Sequence, residues 1–172
     1  MSRIKIITGI LLILCLQGLS QEKIPPTDKF SIEGMVKKPV EITINELSAY
    51  KTHDIDSIGI TNHLGVKRGS LKKVKAVLLK EVLNKAEISE ENPKMLSEYY
   101  LVCMASDNYK VVFSWNEIFN NVTGNFVFLI TEIDGKPASL SENRIALVSA
   151  NDVMTGRRYI KGLQKIIIER AK

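Results

Sequence analysis

The chain has 172 residues, 45% of them apolar, with a formal net charge of +5, and this length fits one domain with a substantial core. Its basic residues are scattered among acidic ones rather than gathered on one periodic face. The charge pattern therefore gives no indication of a nucleic acid or an anionic membrane as partner.

Residues 1–20 have the pattern of a secretory signal peptide. Arg3 and Lys5 form a basic start, residues 6–16 are apolar and uncharged, and small residues precede the predicted cleavage after Ser20. The apolar run is too short to span a bilayer comfortably. We therefore predict a secreted or periplasmic protein that is not an integral membrane protein after processing. Its mature form has 24 minus 2, or 22, basic residues against 19 acidic ones.

Of the two cysteines, Cys15 and Cys103, only Cys103 is predicted to remain in the mature protein. Cys15 lies within the signal segment and follows Leu-Ile-Leu with no small residue, so lipidation is disfavoured. Cys103 alone survives cleavage, which rules out an intramolecular disulfide and leaves stability to the hydrophobic core. Because Cys103 lies in the middle of an apolar run, we predict a small buried hydrophobic residue rather than a metal ligand.

Residues 21–29 contain two prolines and predict an extended tether, so the domain is predicted to begin at residue 30. Alternating apolar residues predict strands at 30–36, 40–44, 53–60, 71–77, 99–105, 110–113, 126–130, 145–149 and 162–169. Brief helices are predicted at 46–50, 77–85 and 115–120, and a loop at 151–158. This pattern indicates an α+β domain, a β-rich single domain of mixed or antiparallel sheet with short helices.

Local signals mark the ends of these elements. Asn45 is a suitable N-cap for the first helix, and Ser114 with Glu117 predicts a capping box for the third. Asn108 is expected at positive φ in a hairpin turn. The apolar strand that ends near residue 60 leads into the polar turn 61–63, and a strand end that presents polar side chains is a common way to build a site.

Four segments, in order, resemble the oxidoreductase molybdopterin-binding domain of the sulfite oxidase and plant nitrate reductase family. FSIEGMVKKPVEITINEL is similar to the opening hairpin and short helix, and KAVLLKEVLNKA to the helix after the cofactor turn. SDNYKVVFSWNEI and GRRYIKGLQKIIIE are similar to a later hairpin with its helix and to the closing arginine, lysine and strand. The resemblance spans roughly residues 30–170 and implies a domain of that fold over residues 30–172.

This sequence departs from the family in two ways. Catalytic members carry a molybdenum-ligating cysteine in the turn after the third strand, where this chain has Thr61-Asn62-His63. A hydroxyl, amide or imidazole is a poor substitute for a soft thiolate. The chain is also shorter than the catalytic domains of the family. The resemblance thus implies a non-catalytic or degenerate member, with no catalytic and no metal-binding residue.

The resemblance also implies a set of cofactor-binding residues. Arg157, Arg158 and Lys161 match the cationic end of the family's pocket, suited to a phosphate or an oxyanion. Thr61, Asn62, His63 and Tyr109 complete the predicted site. Five of these residues have a simpler interpretation: the arginines as solvated loop residues, Asn62 and His63 as turn residues, and Tyr109 as part of a hairpin. The other histidine, His53, is predicted to be a surface residue.

Two functions of different classes remain open, and a third possibility is a purely structural domain with an empty pocket. One is a module that binds a pterin-like or small anionic ligand, or a separate envelope protein, without turnover; nucleic acid is not an expected partner. The alternative is an active molybdopterin-dependent oxidoreductase of the cell envelope that acts on a small oxyanion. Molybdopterin is a possible cofactor by resemblance. With no haem, dinucleotide or Walker A motif in the chain, any electron partner would be a separate protein.

Overall fold

The computed structural model describes residues 23–172, so the predicted signal peptide and its cleavage position lie outside the described range. The strands in this range are β1 (Lys29–Gly34), β2 (Val40–Thr43), β3 (His53–Thr61), β4 (Lys67–Leu78), β5 (Tyr99–Ala105), β6 (Lys110–Ser114), β7 (Val127–Ile133), β8 (Lys136–Pro137), β9 (Ala146–Ser149), β10 (Tyr159–Lys161) and β11 (Leu163–Arg170). The α-helices are α1 (Ile44–Leu47), α2 (Leu79–Leu83) and α3 (Trp115–Phe119). Short 3₁₀ turns lie at Pro93–Glu98, Val122–Asn125, Ala138–Leu140 and Thr155–Arg158. None of the helices in residues 23–172 is long and apolar enough to cross a membrane.

The strands form two sheets in one β-rich domain, in agreement with the predicted fold class. The first sheet has five strands in the order β2-β1-β11-β5-β6. Its β1–β11 pair is parallel, and its other neighbours are antiparallel. Because β1 pairs with β11, this sheet joins the two ends of the described chain.

The second sheet is antiparallel and curled, with the order β10-β9-β7-β4-β3 and β8 beside β7. Along its central strands, alternate residues belong to two different apolar clusters. Val127 and Leu129 of β7 belong to the main core shared with the first sheet, whereas Phe128 and Ile130 belong to a second cluster on the opposite face. Successive side chains of a strand point to opposite faces, so both faces of this sheet are buried at its centre.

The second helix is shorter than predicted. The apolar spacing predicts a helix over residues 77–85, but β4 continues through Leu78 and the helix covers Leu79–Leu83. Val77 and Leu78 pair with Leu129 and Phe128 of β7. A short apolar run suits a buried strand as well as a helix, and here the pairing with β7 decides the conformation.

The N-cap of α1 is Thr43 rather than the predicted Asn45. The Thr43 hydroxyl accepts the N–H of Glu46 at 3.2 Å, and the Glu46 carboxylate accepts the N–H of Thr43 at 2.8 Å. This reciprocal pair satisfies two free donors of the helix end, and it places Asn45 inside the first turn. The capping box of Ser114 and Glu117 at α3 is confirmed.

The predicted tether is packed against the domain for the part that the structure describes. The Ser106 hydroxyl donates to the Pro25 carbonyl at 2.5 Å. Thr27 is 9% exposed and pairs with Arg144, which also forms an ion pair with Asp28. Residues 24–29 of the predicted tether therefore already contact the fold.

Cys103 is buried, as predicted, and burial raises the pKa of its thiol to about 12. Thiolates are the reactive form of cysteine, so we expect the native protein to react negligibly with a thiol reagent such as Ellman's reagent at neutral pH. One thiol per mature chain should become reactive in denaturant. Rapid labelling of the native protein would contradict this placement of Cys103.

Candidate anion-binding site

A cavity of about 410 Å³ lies where the β3–β4 turn, the β5–β6 turn and the segment 156–161 meet. Five of the seven predicted site residues line it, and two do not. The lining consists of Ile24, Asn62, His63, Ala105, Asp107, Tyr109, Gly156, Arg157, Tyr159 and Lys161. A larger groove of about 770 Å³ beside β1, β5 and β11 contains none of the predicted residues.

Asn62 shapes the β3–β4 turn. Its side-chain oxygen accepts the N–H groups of Leu64 and Val66, each at 2.9 Å, and Gly65 adopts a φ of +79°. This confirms the interpretation of Asn62 as a turn residue. Asn62 also lies on the cavity wall, so its role in the turn is compatible with the predicted role in a site.

The turn Thr155–Arg158 is bound to the end of β3. The buried Thr155 hydroxyl donates to the Gly59 carbonyl at 2.7 Å and accepts the N–H of Thr61 at 3.1 Å. A methyl group added at Gly156 would overlap the carbonyl oxygen of Thr61. Thr61 therefore supports this turn through its backbone and is not part of the cavity lining. Its hydroxyl is buried with no hydrogen-bond partner within the described residues.

Arg157 and Lys161 supply the positive charge of the cavity. Neither forms a salt bridge within residues 23–172. Arg157 donates one N–H to the His63 carbonyl at 3.0 Å, and the Tyr109 hydroxyl donates to the Arg157 carbonyl at 2.6 Å. The Lys161 ammonium lies 5.6 Å from the centre of the Tyr159 ring. Contacts from three turns and from β10 thus hold the pair of cations in place.

Asp107 is the carboxylate on the cavity wall. It accepts the N–H of Tyr109 at 2.9 Å, within a turn in which Asn108 has the expected positive φ of 68°. The wall therefore carries two cations against one carboxylate that is engaged in turn formation.

Arg158 lies outside the cavity lining, so the predicted cationic trio is a pair. Its guanidinium donates twice to the Asp152 carboxylate, at 2.6 Å each, and once to Glu117 at 2.9 Å. It also lies 4.5 Å from the centre of the Phe113 ring. With two carboxylates and an aromatic face around it, this side chain has the environment of a structural ion pair that ties the 155–158 turn to α3.

His53 is neither a cavity residue nor a fully exposed one. Its side chain is about one third exposed, its ring centre lies 6.1 Å from that of Phe128, and Nε2 is 3.9 Å from the Glu81 carboxylate. Nε2 is buried without a hydrogen-bond partner within the described residues. His53 therefore lies half-buried at the surface, where it pairs with Ala76 of β4, beside which the chain turns into α2.

The donors around the cavity do not suit a molybdenum centre. No cysteine lines it, since Cys103 is fully buried two residues before the lining residue Ala105, on the same face of β5. Within residues 23–172 there is also no group of three or more His, Cys, Asp and Glu side chains placed to hold a metal ion. Cationic and neutral donors without a thiolate are suited to an anion rather than to such a metal.

Five lining residues are not among the predicted site residues. Ile24 belongs to the predicted tether, and Ala105 belongs to a strand for which the sequence indicates only a place in the core. Gly156 and Tyr159 flank the predicted arginines, so their position in the sequence is a usable signal. Asp107 precedes Asn108 in a segment that the sequence indicates only as a turn.

No protein-family profile and no curated protein sequence matches this chain. Among solved structures, it is similar to the crystal structure of the sulfane dehydrogenase SoxCD from Paracoccus pantotrophus, with a TM-score of 0.60 and 15% sequence identity. The match covers 87% of this chain and 39% of that one, so the chain spans well under half of the protein that it matches. At this identity the similarity concerns the fold alone. The chain thus shares its fold, as a distant similarity, with part of this sulfane dehydrogenase.

Proposed function

We propose that this chain is an exported protein whose domain binds a pterin-like or small anionic ligand without turnover. The observation that supports the proposal most is the pair Arg157 and Lys161, which line one cavity without a salt bridge in the described part of the chain. Cations placed in a concave site beside neutral donors are the usual elements of anion recognition.

The contacts leave suitable donors available. Arg157 carries five N–H donors, and one contact of its guanidinium, to the His63 carbonyl, occupies part of this fork. The Lys161 ammonium contributes a point charge with three donors. The Tyr109 hydroxyl is engaged with the Arg157 carbonyl and acts as a support, and its oxygen can still accept a hydrogen bond. The volume of about 410 Å³ is within the range of small-molecule sites.

The second candidate is an active molybdopterin-dependent oxidoreductase of the cell envelope that acts on a small oxyanion, with a separate envelope protein as electron partner. It is favoured by the distant similarity of fold to the sulfane dehydrogenase SoxCD. It is disfavoured by the cavity lining, which contains no thiol. Bound molybdopterin would supply redox chemistry at a metal, and under this alternative Arg157 and Lys161 would be the residues that hold its phosphate.

Titration with pterin-6-carboxylate, a fluorescent pterin that carries one carboxylate, tests the proposal. We expect saturable binding that weakens as salt rises, because partly exposed charges are screened. Arg157→Gln and Lys161→Gln should each weaken binding roughly tenfold or more, since a hydrogen bond to a charged group contributes about 1.5–3 kcal/mol.

Lys94→Gln provides the matched control, because Lys94 is exposed and lies in the Pro93–Glu98 turn, away from the cavity. Its affinity should equal that of the parent protein. Inorganic phosphate should compete with the pterin if the cations recognise the carboxylate. Equal affinity in all four proteins would remove the cavity as the binding site.

A further inference from the structure

The hairpin formed by β3 and β4 extends beyond the rest of its sheet. β4 pairs with β3 from Lys67 to Ala76, but with β7 only from Lys75 to Leu78. The outer part of the hairpin is therefore a two-stranded ribbon, supported mainly by the Thr155–Arg158 turn. Residues 63–69 at its end are all exposed.

The outer part of the ribbon is cationic. Residues 57–74 contain four basic residues and no acidic one, and the basic residues are Lys67, Arg68, Lys72 and Lys73. Lys75, at the base, is paired with Glu132 at 3.3 Å. Towards the tip, Lys67 and Arg68 form no salt bridge within residues 23–172. The nearest acid along β3, Asp56, lies five residues from Thr61, which is about 16 Å in an extended strand.

The end of the ribbon is apolar. Leu64 and Val66 are 69% and 55% exposed, and Val153 of the neighbouring loop is 90% exposed. A methyl group at Gly65 would lie 3.8 Å from the Met154 side chain, which shows that the two loops are in contact. Asp152, the acid beside Val153, is already paired with Arg158. Three exposed aliphatic side chains thus lie on two loops that are in contact, a pair of loops that we call the tip, and Lys67 and Arg68 follow Val66 directly in the sequence.

We propose that this tip docks on an anionic lipid surface, with Leu64, Val66 and Val153 entering the headgroup region and Lys67 and Arg68 contacting lipid phosphates. Apolar side chains combined with basic residues are the usual elements of reversible attachment to such surfaces. A duplex nucleic acid would use the cations but leave the aliphatic side chains in water. Protein interfaces draw their strongest contacts from Trp, Tyr and Arg, whereas Leu and Val are under-represented there.

Docking in this way would also orient the cavity. Asn62 and His63 of the same turn line it, so its opening would be brought close to the lipid surface. The inference stands apart from the proposed function, because the tip residues Leu64, Lys67 and Val153 are not part of the cavity lining.

Sedimentation with sucrose-loaded vesicles tests the inference on the mature chain. We expect binding to vesicles that contain phosphatidylglycerol and much weaker binding to vesicles of phosphatidylcholine alone. Lys67→Gln/Arg68→Gln should weaken the binding by about fivefold for each cation removed. Leu64→Ser/Val153→Ser should weaken it roughly tenfold, because two aliphatic side chains lose their insertion.

Two matched variants control for loss of apolar surface and of charge. Val122→Ser removes a valine that is 64% exposed beside α3, near the opposite end of β4, and Lys51→Gln/Lys94→Gln removes two exposed lysines elsewhere. Both should bind the anionic vesicles as the parent protein does, and thermal melts should show that every variant is folded.

Several results would overturn the inference. One is no sedimentation with anionic vesicles, and another is an equal loss of binding in the control variants. A third is tight binding to a DNA duplex together with vesicle binding that Leu64→Ser/Val153→Ser leaves unchanged. That result would make the ribbon a polyanion-binding arm instead of a membrane contact.

Discussion

Gly156→Ala is expected to destabilise the domain by about 2–4 kcal/mol, in the range of severe overpacking, and to abolish ligand binding at the cavity. The added methyl would overlap the backbone carbonyl of Thr61, which cannot rotate away as a side chain would. The turn would have to leave the end of β3, and the Thr155 hydrogen bonds to Gly59 and Thr61 would be lost with it. The loss of stability is measured by urea denaturation, with circular dichroism as the signal of unfolding.

Gly69→Ala is the matched control in the same part of the fold. A methyl group at Gly69 meets no atom within 4 Å, and Gly69 has no positive φ. Its urea midpoint should therefore lie close to that of the parent protein, and its free energy of unfolding should differ by less than about 0.5 kcal/mol. Equal midpoints for Gly156→Ala and the parent would contradict the docking of the 155–158 turn on β3.

Arg158→Ala is expected to destabilise the domain by about 2–4 kcal/mol while changing anion affinity little. Removing one member of a partly buried ion pair leaves the remaining charges desolvated and uncompensated. Here two carboxylates, Asp152 and Glu117, would lose their cation, and Phe113 would lose the guanidinium over its ring. For a domain of this size the melting temperature should fall by roughly 2–4 °C per kcal/mol.

This loss should depend on pH. Burial by itself raises the pKa of Glu117 and of Asp152, but hydrogen bonds from Arg158, from Ser114 and from Ser149 outweigh burial and lower both pKa values. A lowered folded-state pKa contributes stability that is present above the ordinary carboxyl pKa of about 4 and is lost as the pH falls. The difference in stability between the parent and Arg158→Ala should therefore shrink from pH 7 towards pH 3.

Arg157→Ala tests whether the two arginines, Arg157 and Arg158, have different roles in stability and in anion binding. Its guanidinium is exposed and bonds one backbone carbonyl, so its removal should change stability by less than about 1 kcal/mol while weakening anion binding. If Arg158→Ala weakened binding as much as Arg157→Ala at unchanged stability, Arg158 would have to be placed in the cavity after all.

The sequence indicates most of the fold because its strands alternate regularly and its turns carry diagnostic residues. Ser114 with Glu117 and Asn108 at positive φ follow from local chemistry, and the structure confirms them. The boundary between β4 and α2 does not follow from local chemistry, because the apolar run at Val77 and Leu78 suits either element. Pairing with β7, about fifty residues away, decides it.

The site is less predictable for the same reason. Arg157 and Arg158 are adjacent and chemically identical, so no local pattern states which one faces the cavity. The choice depends on Glu117, 41 residues away, and on Asp152, which together surround Arg158. The apolar tip likewise combines Leu64 and Val153, which belong to two distant loops that the fold brings into contact at Gly65 and Met154.

The most direct test of the central claim, an anion-binding cavity without molybdenum chemistry, is the metal content of the purified protein. The mature chain would be produced in a host that makes molybdopterin and is supplied with molybdate, then analysed by mass spectrometry of the elements. We expect molybdenum far below one atom per chain, together with saturable pterin-6-carboxylate binding by the same preparation. About one molybdenum atom per chain would contradict the account, and it would require a metal ligand other than Cys103 at the cavity.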